Sequence, residues 1–546
     1  MKYNKNINTW NIWWGLQIII PLIICILLFT FKIPLNKYIL ISLWILMTLG
    51  SLIVLNKKGY EINCRVLIVA IFIMIIAMFI SANIFDTTVD GQWYHYDSIE
   101  AIRSGWNPLY NIGFDRINDP TFIYSEHYPK ATWIFAAFYA IIFNTIELGK
   151  VYNIYSLLLL GGMVYSYLDH NKEKISILPR ILIILCVVLN PISIAQLNTF
   201  YADGWMGNLF IIYCIGIYLS YVNKEPINTL IACISMIMVI NTKYTGLGYI
   251  GIIGLWLLIF ILKNSKKDKY HWKKLFIPLF ICGMISVLYI GFDSYVRNTF
   301  DHKHPFYPIS GENTIDIMTS NTPESFRYDG YIEKFLKSNL SKTSSSNQMN
   351  ELKNPLSVSK DEFKQMNQDT RIAGFGPMFA LGVIISIISL LLIILKEDLR
   401  KEVLLLIIPI LLTVAINPEN WWARYVPQLW IIPIIIFMIS MKKLNTKTTK
   451  ILGIAGIIIL LINASTSFVY LQESQYLKSK EQKQAIKSLN QYSKVYVELE
   501  NPAMVSLQHK LKLLNIDSIK VNKIDELKYK YIEIPYTFSI KVAVPK

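Results

Sequence analysis

The residues best equipped for chemistry gather where apolar runs end. In the stretch Asp86-Thr87-Thr88-Val89-Asp90-Gly91-Gln92-Trp93-Tyr94-His95, a long apolar segment stops and two carboxylates sit at the water boundary. Later polar stretches add Glu126, His127, Lys130, Asp203, Lys243, Arg297, His302, His304, Arg371 and Arg424. Such a mixed set suits transfer of a group from a phosphate-bearing lipid. A carboxylate takes the proton of an acceptor hydroxyl, while arginine, lysine and histidine stabilise the departing phosphate. No glycine-rich nucleotide loop appears in the chain, and none is needed when the donor is held by a lipid tail and arrives through the bilayer. The strings 298–308 and 421–427 place aromatic rings beside cations. Such faces suit sugar rings, and they also form the usual interfacial belt. Each carboxylate has a plainer role too: Asp90 as the N-cap of a following helix, Asp86 as a polar residue ending one. The cations also serve as snorkelling anchors.

The element that positions Asp90 is a short amphipathic helix. Over 92–104, Trp93, Tyr96, Ile99 and Ile102 form one stripe against His95, Asp97, Ser98 and Arg103. That pattern predicts a helix lying in the membrane interface, ended by Gly105 before Trp106-Asn107-Pro108.

Composition defines the surroundings. The 546 residues are 53% hydrophobic and only 16% charged, with a mean hydropathy of +0.40. This is too apolar for a water-soluble protein of such length and predicts an all-α polytopic membrane protein. The net charge of +16 lies in short basic runs between apolar segments, which mark topology rather than nucleic-acid binding. The six cysteines fall within or at the ends of apolar segments, without metal-ligand spacing, so no disulfide framework is expected. The basic start with Lys2 and Lys5 precedes a long run with no small-residue cleavage site, and is expected to remain as a signal anchor.

Apolar runs at 12–31, 38–55, 65–82, 150–168, 177–195, 205–221, 227–240, 246–262, 275–292, 377–395, 402–416, 425–441 and 451–470 give about 13 transmembrane helices. The run 131–146 is expected to be an interfacial helix, because a further span there would invert every later loop. The basic clusters 263–274, 396–401 and 442–450 are then inside, with the N-terminus. The polar segments 83–130, 190–204, 241–245, 293–376 and 417–424 share the external face. A transmembrane domain over 1–470 is thus followed by a small external α/β domain at 471–546. In the loop 293–376, the serine-rich stretch 341–347 predicts a flexible, ligand-ordered flap.

These motifs resemble the GT-C integral-membrane glycosyltransferases, the superfamily of the protein O-mannosyltransferases and the lipid A aminoarabinose transferase. Asp90 and Tyr94 match an Asp-x-x-x-Tyr pattern in the first large external loop, and Gly105 and Pro108 match the turn after the amphipathic helix. His127-Tyr128-Pro129-Lys130 is similar to a His/Lys-Pro-Pro-like element, and Arg424-Tyr425-Val426-Pro427 to a late Arg-Tyr-x-x-Pro. The chain departs from the family in having three runs before the loop where one is usual, and Gly91 where a second acid is common.

The resemblance implies an inverting transferase in a bacterial-type plasma membrane, moving a sugar from a polyprenyl-phosphate-linked donor to an envelope glycan, lipid or protein. Asp90 is expected to be the general base and Asp86 its acidic neighbour. Tyr94 and His95 would position substrate, and Lys130, Arg297 and Arg424 would meet the phosphate. Glu126, His127, Asp203, Lys243, His304, Arg371 and Tyr425 complete the expected binding set. A divalent cation could lie between Asp86, Asp90 and Glu126, but the spacing is not Asp-x-Asp and no metal or other cofactor is expected. Two other functions use the same residues: a flippase or transporter, which calls for ionisable groups deep in spans, and a polymerase or ligase of lipid-linked saccharides.

Overall fold

A computed structural model describes residues 5–112, 122–170, 176–264, 271–312, 314–315, 321–345, 351–443, 447–498, 504–525, 528–537 and 540–545. Among these residues, eight helices are long and apolar enough to cross a membrane: Lys5–Thr30, Lys37–Lys57, Cys64–Asn83, Ile146–His170, Asp203–Asn223, Tyr244–Lys263, Trp272–Ile290 and Lys447–Gln491. Shorter apolar helices lie at Ala131–Phe143, Ile177–Val188, Pro226–Ile240, Phe379–Ile394, Val403–Ala415 and Pro427–Met441. Eight of the runs read as spans fall on the long helices and the other five on shorter apolar ones, and the chain is a polytopic helical membrane protein. The helix Lys5–Thr30 is buried along most of its length, whereas Lys37–Lys57 and Cys64–Asn83 leave most of their apolar side chains open, as lipid-facing helices do.

Burial and one helix break add detail to three expectations. The helix Ala131–Phe143 is enclosed by protein, with residues 131–140 all buried. Trp44 packs edge-on against Phe138 and Tyr139, with ring centres 5.8 and 5.7 Å apart. The amphipathic helix Tyr96–Arg103 is covered as well, with Tyr96, Ile99 and Ile102 fully buried and His509 of the C-terminal domain against Tyr96 at 5.9 Å. The run 177–195 breaks after Val188, and Pro191–Ala195 forms a separate helix whose Asn190 cap accepts from the Ile192 amide.

The boundary at 470 falls inside one 42-residue helix, Lys447–Ser488. Polarity changes there, but Gln, Glu, Lys, Leu and Ala continue and keep the helical preference high. The C-terminal domain is thus joined through a rigid rod. Its sheet has the order β2-β1-β4-β3, with β1 Val495–Glu498, β2 Ser518–Val521, β3 Tyr529–Ile532 and β4 Val542–Pro545. Parallel β1 and β2 are connected through the helix Met504–Leu513, and the other pairs are antiparallel.

The described part of the expected flap is pinned. Ser344 and Ile372 form a backbone bridge, with the Ile372 amide donating to the Ser344 carbonyl at 3.0 Å. Thr343 Oγ1 donates to the Ala373 carbonyl at 3.2 Å. Residues 346 and 347 lie outside the described residues.

Close backbone approach holds the enclosed helix in place. A Cβ at Gly149, in the turn Ile146–Val151, would lie 2.5 Å from the Ala136 Cβ and 2.8 Å from its Cα. Gly149→Ala is therefore expected to destabilise the protein by about 1–3 kcal/mol through overpacking, read as a lower unfolding temperature in detergent. An unchanged midpoint would mean that this contact yields freely.

Candidate active site

The turn that carries Asp90 is built on Asp86. The Asp86 carboxylate accepts from the Thr88 amide at 2.8 Å and from the Phe200 amide at 2.7 Å. Its own amide donates to Glu147 Oε2 at 3.0 Å. Asp86 is fully buried, and burial raises its carboxyl above the usual range, against the lowering pull of Lys150. Gly91 is required by this packing, since a Cβ there would fall 2.1 Å from Asp86 Oδ2 and 2.3 Å from Thr88 Oγ1. Gly91 thus lets the chain pass over the buried carboxylate. Asp86 is a structural residue and does not line the cavity that Asp90 faces.

That cavity has a volume of about 780 Å³. Its polar wall carries Asp90, Tyr94, His95, Lys243, Asp369, Arg371, Arg424 and Tyr425, and its apolar wall includes Tyr249, Phe306, Ile309, Ile315, Ile416 and Pro418. Arg424 is the centre of the polar wall. Its Nη2 lies 3.6 Å from Asp90 Oδ2 and its Nη1 2.5 Å from Asp369 Oδ1. The guanidinium also lies over Trp422, Tyr201 and Tyr425, at 4.5, 5.0 and 5.1 Å from the ring centres. A planar cation is held this way in one orientation. The segment that presents it is fixed from behind: Pro427 packs on Gly207, where a Cβ would meet its Cγ at 2.6 Å, and Tyr249 donates to the Tyr425 carbonyl at 2.7 Å.

The other cations are anchored too. Lys243 is paired with buried Asp203, which accepts from Gln196 at 3.0 Å, and its ammonium lies 5.3 Å from the centre of the Tyr425 ring. Arg371 Nη2 donates to Asn321 Oδ1 at 3.0 Å, and its guanidinium stacks on Trp422 at 4.9 Å. Asp369 sits between the two arginines, with Oδ2 3.6 Å from Arg371 Nη2. Burial lifts its carboxyl above the usual range, although Arg424 pulls it down.

His95 is a neutral wall residue. Trp133 donates its indole N–H to His95 Nδ1 at 2.7 Å, which leaves the ring proton on Nε2. Burial, followed by the charge of Lys243, pushes its pKa down to about 3.

Six expected binding residues form no part of this cavity: Asp203, which stands behind Lys243, and Glu126, His127, Lys130, Arg297 and His304. Lys130 and Arg297 are consumed by Asp293, which pairs with both. Lys130 also donates to the Glu126 and Tyr128 carbonyls at 2.7 and 2.9 Å, and Arg297 to the Leu109 carbonyl at 2.7 Å. Glu126 accepts from Asn111 at 2.8 Å, and His127 Nδ1 donates to Asn298 at 2.8 Å. His304 Nδ1 accepts the Phe306 amide at 3.1 Å within its own turn. These bonds shape the wall that carries Tyr128 and Phe306. Asp86, Asp90 and Glu126 do not converge, and among the described residues no three of His, Cys, Asp and Glu cluster as a metal site would.

Sequence reading missed Asp369, Asn321, Tyr201 and Trp422 as parts of one wall. The spacing Asp369-x-Arg371 was the available signal for the first. Trp422 stands in the aromatic string 421–427 beside Arg424, whereas Asn321 and Tyr201 have no local signature, because only the folded chain brings them to this wall.

No family model matches the chain, and no curated protein matches it. Among solved structures, the chain is similar to ArnT from Cupriavidus metallidurans in the apo state, at 12% sequence identity and a TM-score of 0.45. It is also similar to ArnT from Cupriavidus metallidurans bound to undecaprenyl phosphate, at 11% identity and a TM-score of 0.42. Each similarity covers 84% of this chain and 86% of the other.

Proposed function

We propose that the protein is an inverting membrane glycosyltransferase of the GT-C type. It moves a sugar from a polyprenyl-phosphate-linked donor to an acceptor of the cell envelope, on the external face of a bacterial-type plasma membrane. The N-terminus is then cytoplasmic and the C-terminal domain external, as the basic clusters between apolar runs favour. The observation that carries the reading is the pairing of Asp90 with Arg424 across 3.6 Å, in a cavity that joins cations to a lipid-compatible apolar wall.

In this reaction the acceptor oxygen bonds to the anomeric carbon as the bond from that carbon to the phosphate oxygen breaks. Asp90 takes the acceptor proton. Arg424, Arg371 and Lys243 face the phosphate as it gains charge, already oriented by Asp369, Asn321 and Asp203, so little reorganisation is needed. The apolar wall receives the start of the lipid chain, and the aromatic rings around Tyr94, Tyr201 and Trp422 face the sugar. A metal is not part of the proposal. Asp203 and Lys243 stand at helix ends rather than within spans, which favours transfer at a membrane surface over passage through it. A polymerase or ligase would share the donor chemistry and differ in its acceptor.

Asp90→Asn, inserted at normal levels, is expected to lower the transfer rate by roughly 10²- to 10⁴-fold, with the KM for the lipid donor little changed. Full activity of this variant would remove the base assignment. Arg424→Lys is expected to lose about 100-fold in kcat, because an ammonium cannot hold Asp369 and stack on several rings at once. A wild-type rate would show that a point charge suffices there.

A further inference from the structure

We propose that Lys510, in the C-terminal domain, is a positioning residue for the transfer: its ammonium braces both ends of the turn that presents Asp90. The proposal rests on the reading of Asp90 as the base. Lys510 is on the helix Met504–Leu513 and is completely buried. Its Nζ donates to the Asp86 carbonyl at 2.6 Å, to Gln92 Oε1 at 2.8 Å and to Gln482 Oε1 at 2.9 Å. Two of these acceptors flank Asp90 on the turn. The third is on the rod Lys447–Ser488. One amine thus joins the C-terminal domain, the rod and the turn.

Neighbouring contacts tighten the same joint. Gln92 Nε2 donates to the Tyr536 carbonyl at 2.7 Å, the Phe85 amide donates to Ser479 at 2.8 Å, and Phe85 packs into the apolar core of the C-terminal domain. Between the braced ends, Val89 is exposed and Asp90 is half-buried at the cavity. A buried ammonium is a costly way to fill space, and an apolar side chain of equal volume serves packing as well or better. What the amine adds is a fixed point with three directed bonds.

Those three bonds use every N–H of an ammonium, whereas a neutral amine has two and turns a lone pair toward the third acceptor. The charged groups around Lys510 are Glu147, with Oε1 at 4.0 Å, Asp86 and Lys150, and Lys483 of the rod, which also lies by the Phe85 ring. Burial outweighs the two carboxylates and pushes the Lys510 pKa down to about 8. As pH rises through that value the folded protein loses a proton that the unfolded chain keeps up to about 10.5. The contribution of this group to stability therefore rises with pH, while the brace loses one of its bonds. Activity and stability move in opposite directions.

The test uses the full-length protein in detergent or nanodiscs. Lys510→Met is expected to lower kcat by roughly 100-fold, the cost of a misplaced catalytic group, with the donor KM unchanged. Faster hydrogen exchange is expected across residues 86–92, and the alkaline limb of the kcat profile near pH 8 should disappear. Wild-type kcat and exchange, or an alkaline limb that survives in Lys510→Met, would overturn the proposal. If Lys510→Met does not insert, Gln482→Leu decides. Loss of one acceptor leaves the ammonium less stabilised, so the limb should move to lower pH, and an unmoved limb overturns the proposal. Should Asp90→Asn be inactive while Lys510→Met is normal, the brace falls and the base assignment stands. Should Asp90→Asn be fully active, the base assignment falls, and the proposed role of Lys510 falls with it.

Discussion

The bond from the Phe200 amide to the Asp86 carboxylate is the tie on which the site depends. Asp86 contributes all its polar atoms: the carboxylate to Thr88 and Phe200, the amide to Glu147 and the carbonyl to Lys510. Four segments far apart in sequence are thereby fixed to one point. From Phe200 the connection continues inward. Tyr152 donates to the Phe200 carbonyl at 2.8 Å, and Asn153 donates to the Gln196 and Thr199 carbonyls at 3.0 and 2.9 Å. Gln196 reaches Asp203, which holds Lys243 at the cavity. Buried polar groups are costly unless each is bonded, so this network has few alternative arrangements.

Two carboxylates four residues apart thus take different roles through their surroundings alone. Asp86 is buried with each oxygen held by a backbone amide, and it does not line the cavity where a substrate would meet it. Asp90 faces the cavity and pairs with an arginine that is itself held from the other side by Asp369. Gly91 makes the division feasible, because its missing side chain lets the turn cross Asp86.

Much of this was legible in the sequence, and the failures have physical causes. Apolar runs mark helices well, because the membrane demands length and hydropathy together. Asp90, Lys243 and Arg424 could be singled out because each stands where a run begins or ends. Lys130 and Arg297 looked equivalent, yet Asp293, one helical turn before Arg297, pairs with both. That spacing was readable as an ion pair. The amphipathic stripe of 92–104 was real, but its period cannot say whether lipid or protein covers it, and here the helix Ala131–Phe143 and the C-terminal domain do. Lys510 reads as an ordinary surface lysine on a polar helix. Only the packing of Met504–Leu513 against the turn reveals otherwise.

The charge balance of the cavity bears on why so many carboxylates stand beside a site proposed to receive a phosphate. Lys243, Arg371 and Arg424 carry three formal positive charges, opposed by Asp90, Asp203 and Asp369. A site with the cations alone would bind the free lipid phosphate strongly and release it slowly. With the carboxylates in place the cations are oriented but largely neutralised at rest. In the proposed transfer the acceptor proton moves to Asp90, which removes one negative charge from the wall as the departing phosphate gains one. Arg424, 3.6 Å from Asp90, loses an electrostatic partner at that moment and can turn its full charge to the leaving group. The wall then favours the transition state over the bound donor, which is the condition for binding energy to raise the rate rather than only the affinity.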